Sequence, residues 1–222
     1  LRMAVANGFT TQVFTPHIRP TRYSNDPTHL HQAFSKFVQI VKAEGLPITL
    51  RLSAEVRIGP EVIPLVQRDD FPWLGSWKGK RAFLLEMPHH QVPVGSINLV
   101  EWLIKRDILP IIAHPERNRE FQFNLDKLAP FIEAGCKLQI TASSLASKFG
   151  NQASVAATEL LKSGQVLLMA SDCHNSFHRP PDLKTGVEIA AQLIGAEQAT
   201  ALVKKNPARL LNGGTATIAA IA

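Results

Sequence analysis

The chain has 222 residues and a formal net charge of +6, from 24 Lys and Arg against 18 Asp and Glu. Hydrophobic residues make up 45% and charged residues 19%, a globular composition that excludes a disordered chain, and no apolar run is long enough to span a membrane. The positive balance suits an anionic substrate such as a phosphate ester. Nucleic acid is disfavoured, because the sequence has neither a Lys/Arg run nor aromatics interleaved with basic residues.

In chain order, a helix is expected over Leu1 to Asn7, closed by Gly8, followed by an extended run ending near Thr15. The next helix, His29 to Ala43, keeps Leu30, Phe34, Phe37, Val38 and Val41 on one face. Extended runs then end near Val56, Met87, Ala113, Ala142 and Ser171. Helices are expected between them and after the last, over Glu61 to Gln67, Ser96 to Lys105, Leu125 to Glu133, Val155 to Leu161 and Leu183 to Ile194. Gly45, Gly135 and Gly164 stand where helices close before new strands. Trp73 and Trp77 flank a glycine turn and read as packing or a pocket wall, and the apolar tail from Thr215 to Ala222 is too short for an anchor. Alternating strands and helices predict one α/β domain over 1–222, with a mostly parallel, barrel-like sheet. A helix-first opening implies an N-terminally truncated domain whose first strand lies ahead of Leu1. Cys136 and Cys173 are too few for a disulfide framework, which points to a reducing cytoplasm. Apolar helices such as Leu99 to Ile104 would also serve a homo-oligomer.

The chemistry lies where these runs end, in Thr-Pro-His17, Ser-Ala-Glu55, Leu-Leu-Glu86, Ile-Ala-His114 and Ala-Ser-Asp172-Cys-His174. Returning a polar residue to the same end of strand after strand builds a site on the C-terminal rim of an α/β sheet or barrel. A core has no use for six such side chains, since each one buried unpaired costs several kcal/mol. Imidazole nitrogen mixed with carboxylate oxygen suits Mn, Fe or Zn, and six ligands exceed one ion's share, so two or three divalent ions are expected. Clustered ions would activate a hydroxide for in-line attack on a phosphate. Arg117 and Arg179, each a few residues beyond a strand-end histidine, supply guanidinium forks that match phosphate oxygens.

Taken singly, each of these residues has an ordinary reading. His17 alone is a surface or capping type, Glu55 and Glu86 are solvated strand ends, and the arginines are surface charges. The ordered set of six is what favours a site. His29 and His31, two apart on a helix, point to nearly opposite sides and cannot share an ion. His89 and His90 read as a rim pair. Cys173 and Arg179 have five residues between them, the spacing of cysteine-dependent phosphatases, but the loop lacks glycine and Asp172 opposes thiolate formation.

At these motifs the sequence resembles the PHP (polymerase and histidinol phosphatase) superfamily, and within it the bacterial protein-tyrosine phosphatases of capsular and exopolysaccharide operons. The likeness is carried by Phe14-Thr-Pro-His17, Ala54-Glu55, Leu84-Leu-Glu86-Met-Pro88, Ile112-Ala-His114-Pro-Glu-Arg117 and Ala170-Ser-Asp172-Cys-His174-Asn175. Gly135-Cys136, Gln139-Ile-Thr and His178-Arg179-Pro-Pro181 extend it, and it runs from Leu1 to about Asn212. The resemblance implies a distorted TIM-like (β/α)7 barrel with a trinuclear site. His17, Glu55, Glu86, His114, Asp172 and His174 would be metal ligands, with Arg117 and Arg179 as phosphate binders. It also implies a phosphotyrosine-bearing bacterial tyrosine kinase of polysaccharide export as substrate. Members of the family open with a strand carrying Asp-x-His-x-His, and this chain has no such motif ahead of Leu1. Two rival readings follow from the same residues: a PHP phosphatase for a small metabolite such as histidinol phosphate, and a non-catalytic binding module.

Overall fold

A computed structural model describes residues 1–19, 25–69 and 73–213, together with the backbone of 217–219; most of the apolar tail therefore lies outside the described residues. Helix α1 (Arg2–Ala6) leads into β1 (Thr11–Phe14) and β2 (His17–Ile18), two parts of one extended segment interrupted at Thr15-Pro16. Proline has no N–H to give a ladder, which explains the interruption. Helix α2 (Pro27–Ala43) starts where Asp26 accepts the His29 N–H at 3.0 Å, with Pro27 in its first turn. It buries Leu30, Phe34 and Val41, while Phe37 sits at the edge of that face against Phe14, ring centroids 5.4 Å apart.

Strands β3 (Thr49–Leu52) and β4 (Glu55–Arg57) repeat the interrupted pattern, with β1 parallel to β3 and β2 parallel to β4. Across the break, Ser53 N–H donates to Phe14 O at 2.8 Å and Glu55 N–H to Pro16 O at 3.1 Å, so the segments stay side by side. After α3 (Val62–Arg68) comes a hairpin of β5 (Gly75–Trp77) and β6 (Lys80–Glu86). Here the structure corrects the sequence reading. Gly75 begins a strand, and the turn is Lys78-Gly79, both with positive φ as a tight hairpin turn demands. Gly75 is required for space, because a Cβ there would meet the carbonyl of Leu210 at 2.2 Å. Trp73 is a core residue, stacked edge-on against Phe83.

The chain continues through α4 (Ser96–Ile104), β7 (Ile108–Ala113), a 3₁₀ turn (Pro115–Arg117), α5 (Arg119–Phe123), a second 3₁₀ turn (Leu125–Leu128) and α6 (Ala129–Glu133). Then follow β8 (Lys137–Thr141), α7 (Ala142–Leu145), α8 (Asn151–Lys162), β9 (Val166–Ala170), α9 (Lys184–Ile194) and α10 (Ala196–Thr200). A π-helical turn (Ala201–Lys205), α11 (Asn206–Asn212) and β10 (Thr217–Ala219) complete it.

The larger sheet has the order β2-β4-β6-β7-β8-β9, all parallel, with β5 antiparallel on β6; a smaller one has the order β1-β3-β10. Strands buried on both faces are apolar without alternation, as in β7, where all six residues are buried. Successive side chains still go to opposite faces. Phe83, Leu85 and Ile112 join the main core under the helices, whereas Ala82, Leu84 and Ile111 join a second cluster with Leu168, Leu210 and Leu211. Among the described residues no helix is long and apolar enough to cross a membrane.

Candidate active site

Parallel pairing places the carboxyl ends of the strands along one rim, and register decides which side chains meet there. His17 lies opposite Glu55, and Arg57 opposite Glu86. His114 follows β7 directly, and Asp172 comes two residues after β9. His114 and Asp172 both have left-handed backbone, φ +34° and +48°. For residues with a side chain this costs of order 1–3 kcal/mol each and needs surrounding contacts to hold it. At His114 these are its N–H on Gln139 O at 2.7 Å and its carbonyl accepting the Arg117 N–H at 2.9 Å.

Glu55 is the hub. Its Oε1 lies 3.4 Å from His17 Nδ1 and 3.2 Å from His114 Nε2. Glu86 Oε2 is 4.0 Å from His17 Nδ1, and donor atoms of His17, Glu55 and Glu86 lie within 4.8 Å of one another. On the other side, Asp172 Oδ2 accepts from Arg117 Nη1 at 2.5 Å and from Arg179 Nη2. His174 Nδ1 is 3.6 Å from Asp172 Oδ1, and the His17 and His174 rings are 6.3 Å apart between centroids. Of the six expected ligands, His17, Glu55 and Glu86 bring donor atoms together among the described residues, with His114 on Glu55; Asp172 and His174 sit with the two arginines in a neighbouring cluster, beside the first at the His17 and His174 rings.

The electrostatics follow from burial and pairing. Burial alone would push the Glu55 carboxyl up, but hydrogen bonds from His114 and His17 outweigh it and hold Glu55 well below the usual carboxylate range. The Glu55 hydrogen bond raises His17 against the opposing effect of burial. At His114 burial is the largest influence and lowers the value, yet Glu55 brings the net shift upward. Glu86 is raised, by burial first and then by the Glu55 charge. Two nearly buried carboxylates side by side, faced by imidazole nitrogens, form a donor set that fits a divalent transition metal.

Several supporting residues escaped the sequence reading. Arg57 Nε sits 3.0 Å from Glu86 Oε2 and its Nη1 donates to Met87 O at 2.9 Å. Its place two residues after Glu55, on the same face of a strand, was the available signal. Glu116 is wholly buried, and its Oε1 accepts from Thr141 N–H at 2.9 Å and Ser144 Oγ at 2.8 Å, tying the His114–Arg117 turn to the end of β8. Asn118 caps α5 and donates to Pro88 O at 2.5 Å, joining that turn to the loop after Glu86. Phe149 lies under both arginines, 4.3 Å from Arg117 Cζ and 5.6 Å from Arg179 Cζ to the ring centroid.

His89 and His90 are exposed, with rings 6.2 Å apart. Burial and the nearby Arg117 charge lower His89. His29 is exposed and pairs with Asp26 on α2, away from the donor group. Around Cys173 the backbone is committed to its own loop. The N–H groups of His174 and Asn175 donate to Arg179 O, and those of Phe177, His178 and Arg179 donate to Asn175 Oδ1. A phosphate cradle for a cysteine nucleophile needs those donors turned inward.

A mostly parallel α/β domain that gathers imidazoles and carboxylates on one rim, with two arginines beside them, has the layout of a metal-using phosphoester hydrolase. The chain belongs to the CpsB/CapC family of capsular polysaccharide synthesis, whose model matches residues 1–212. It is 34% identical over 182 residues to the tyrosine-protein phosphatase YwqE of Bacillus subtilis, covering 80% of this chain and 70% of that protein. The CapC protein of Staphylococcus aureus is 32% identical over 184 residues, covering 83% and 71%. The tyrosine-protein phosphatase CpsB of Streptococcus pneumoniae is 25% identical over 213 residues, covering 92% and 85%. Among solved structures, a chain from the work on YwqE and CpsB, described as unique metal-dependent tyrosine phosphatases, superposes with a TM-score of 0.87. That match has 29% identity and covers 98% of this chain and 87% of the other.

Proposed function

We propose that this chain is a metal-dependent protein-tyrosine phosphatase acting in capsular or exopolysaccharide synthesis. The observation that carries the reading is the junction of two clusters: Glu55 shared by His17 and His114 beside Glu86, and Arg117 with Arg179 on Asp172. In this reading His17, Glu55, Glu86, His114, Asp172 and His174 hold two or three divalent ions, Mn first and Fe or Zn as alternatives. When bound, such ions supply Lewis acidity and lower the pKa of the attacking water.

The chain's own residues do the rest. Arg117 and Arg179 neutralise and orient the phosphoryl oxygens through their N–H forks. Arg57 keeps Glu86 in place, and the Glu116 and Asn118 hydrogen bonds fix the turn that presents His114 and Arg117 together. The substrate class is phosphotyrosine on a bacterial tyrosine kinase of polysaccharide export, in the cytoplasm. This is supported by the relatives' names as tyrosine-protein phosphatases and by the family's link to capsule synthesis.

The fold in this proposal is the distorted PHP-type barrel, a single domain over 1–222, supported by the six parallel strands of the larger sheet. Beside the site, a cavity of about 1170 Å³ is lined by His17 of β2, Leu168 and Met169 of β9, and Phe14, Leu84 and Leu211. Parallel assays with Mn²⁺ on a phosphotyrosyl peptide and on histidinol phosphate test the substrate class. Preference for the peptide is expected; equal or better turnover of histidinol phosphate would move the activity to small metabolites.

A further inference from the structure

We infer that Phe149 is a positioning residue that holds the guanidinium groups of Arg117 and Arg179 as a pair for phosphoryl recognition. The inference rests on the phosphoester reading above and deepens it. Both cations lie within the roughly 6 Å reach of a cation–π contact with the same ring. Both also donate to a single oxygen, Asp172 Oδ2, so two like charges converge on one point.

A carboxylate could hold such a pair together, but only by occupying the N–H donors that a phosphate needs. An aromatic face attracts the cation through its quadrupole and leaves the N–H forks in the guanidinium plane open. Asp172 takes one N–H of each arginine, whereas the ring takes none. The ring itself is fixed by a tight turn between α7 and α8. There Lys148 N–H donates to Ser143 O at 3.1 Å, Gly150 N–H donates to Ser147 O at 3.0 Å, and Ser147 has φ +58°. Phe149 also walls a cavity of about 140 Å³ with Lys148, Ser171, His178, Arg179 and Asp182.

The test uses inorganic phosphate as the probe, titrated calorimetrically into the purified chain and into F149L and F149Y, with p-nitrophenyl phosphate kinetics alongside. F149L keeps an apolar side chain of similar size and removes the quadrupole; F149Y keeps the ring. F149L is expected to bind phosphate about tenfold more weakly and to raise KM by a similar factor, while F149Y stays within about twofold of the parent chain. Unchanged phosphate affinity in F149L, or equal losses in F149L and F149Y, would overturn the inference. Ring-dependent phosphate binding without hydrolysis of any ester would leave the pairing standing and refute the phosphatase reading. A parent chain that binds no phosphate would overturn both.

Discussion

Glu55 shows why single residues decide the chemistry: one buried carboxylate is shared by two imidazoles and draws both upward against the opposing effect of burial. Remote supporting contacts in metal sites are worth about 10- to 100-fold, and ligands more. H114A and D172A are therefore each expected to lower turnover at least about a hundredfold with the fold retained; full activity in either would remove that residue from the site. Glu116 permits a cleaner electrostatic test, because it is buried and burial raises its carboxyl above the ordinary 4.5. Above pH 4.5 the unfolded chain gives up that proton while the folded chain keeps it, so stability from Glu116 falls as pH rises. Gln keeps the acceptor for Thr141 and Ser144 and does not titrate. The unfolding temperature of E116Q relative to the parent chain is expected to climb between pH 5 and pH 8, and a flat difference would show that Glu116 is ionised in the fold. At this scale the sequence was informative where a polar residue broke an apolar run, as at His114. It was silent on Phe149 and Glu116, whose roles depend on partners 32 and 25 residues away, Arg117 and Thr141.

At the scale of elements, the rule that polar residues collect at the carboxyl ends of parallel strands held, because apolar runs such as Val166–Ala170 stop where the site starts. The expected helices over Ser96 to Lys105 and Leu183 to Ile194 match α4 and α9 to within a residue at each end. The β5–β6 hairpin was missed, since Gly75 reads as a turn until Leu210 is seen packed against it. The helical run from Ala196 to Asn212 was missed as well: a π-helical turn at Ala201–Lys205 shifts its helical phase, and Pro207, which sits in the first turn of α11, reads as a breaker. Packing between elements is testable at Gly186 on α9, where a Cβ would meet the Ala142 carbonyl oxygen at 2.6 Å and its Cα at 2.8 Å. G186A is expected to destabilise the chain by about 1–3 kcal/mol in thermal or denaturant unfolding. No loss would mean that α7 and α9 are held less closely than described.

For the whole molecule, the arrangement of sheets decides where the site lies. The larger sheet ends at β2 and β9, with the apolar cavity between them and candidate ligands at its rim. Parallel order, burial and rim were legible from alternating strand and helix patterns. The division into two sheets was not, because Pro16 marks a break in one strand only, while the matching break at Ser53-Ala54 shows only through its pairing with that segment. A metal-dependent phosphatase site built on Glu55 is best probed by metal content measured together with p-nitrophenyl phosphate hydrolysis, before and after chelation and after Mn²⁺ is returned. Near-stoichiometric transition metal is expected, with activity lost to the chelator and recovered with Mn²⁺. Activity that resists chelation and disappears when Cys173 is alkylated would contradict it.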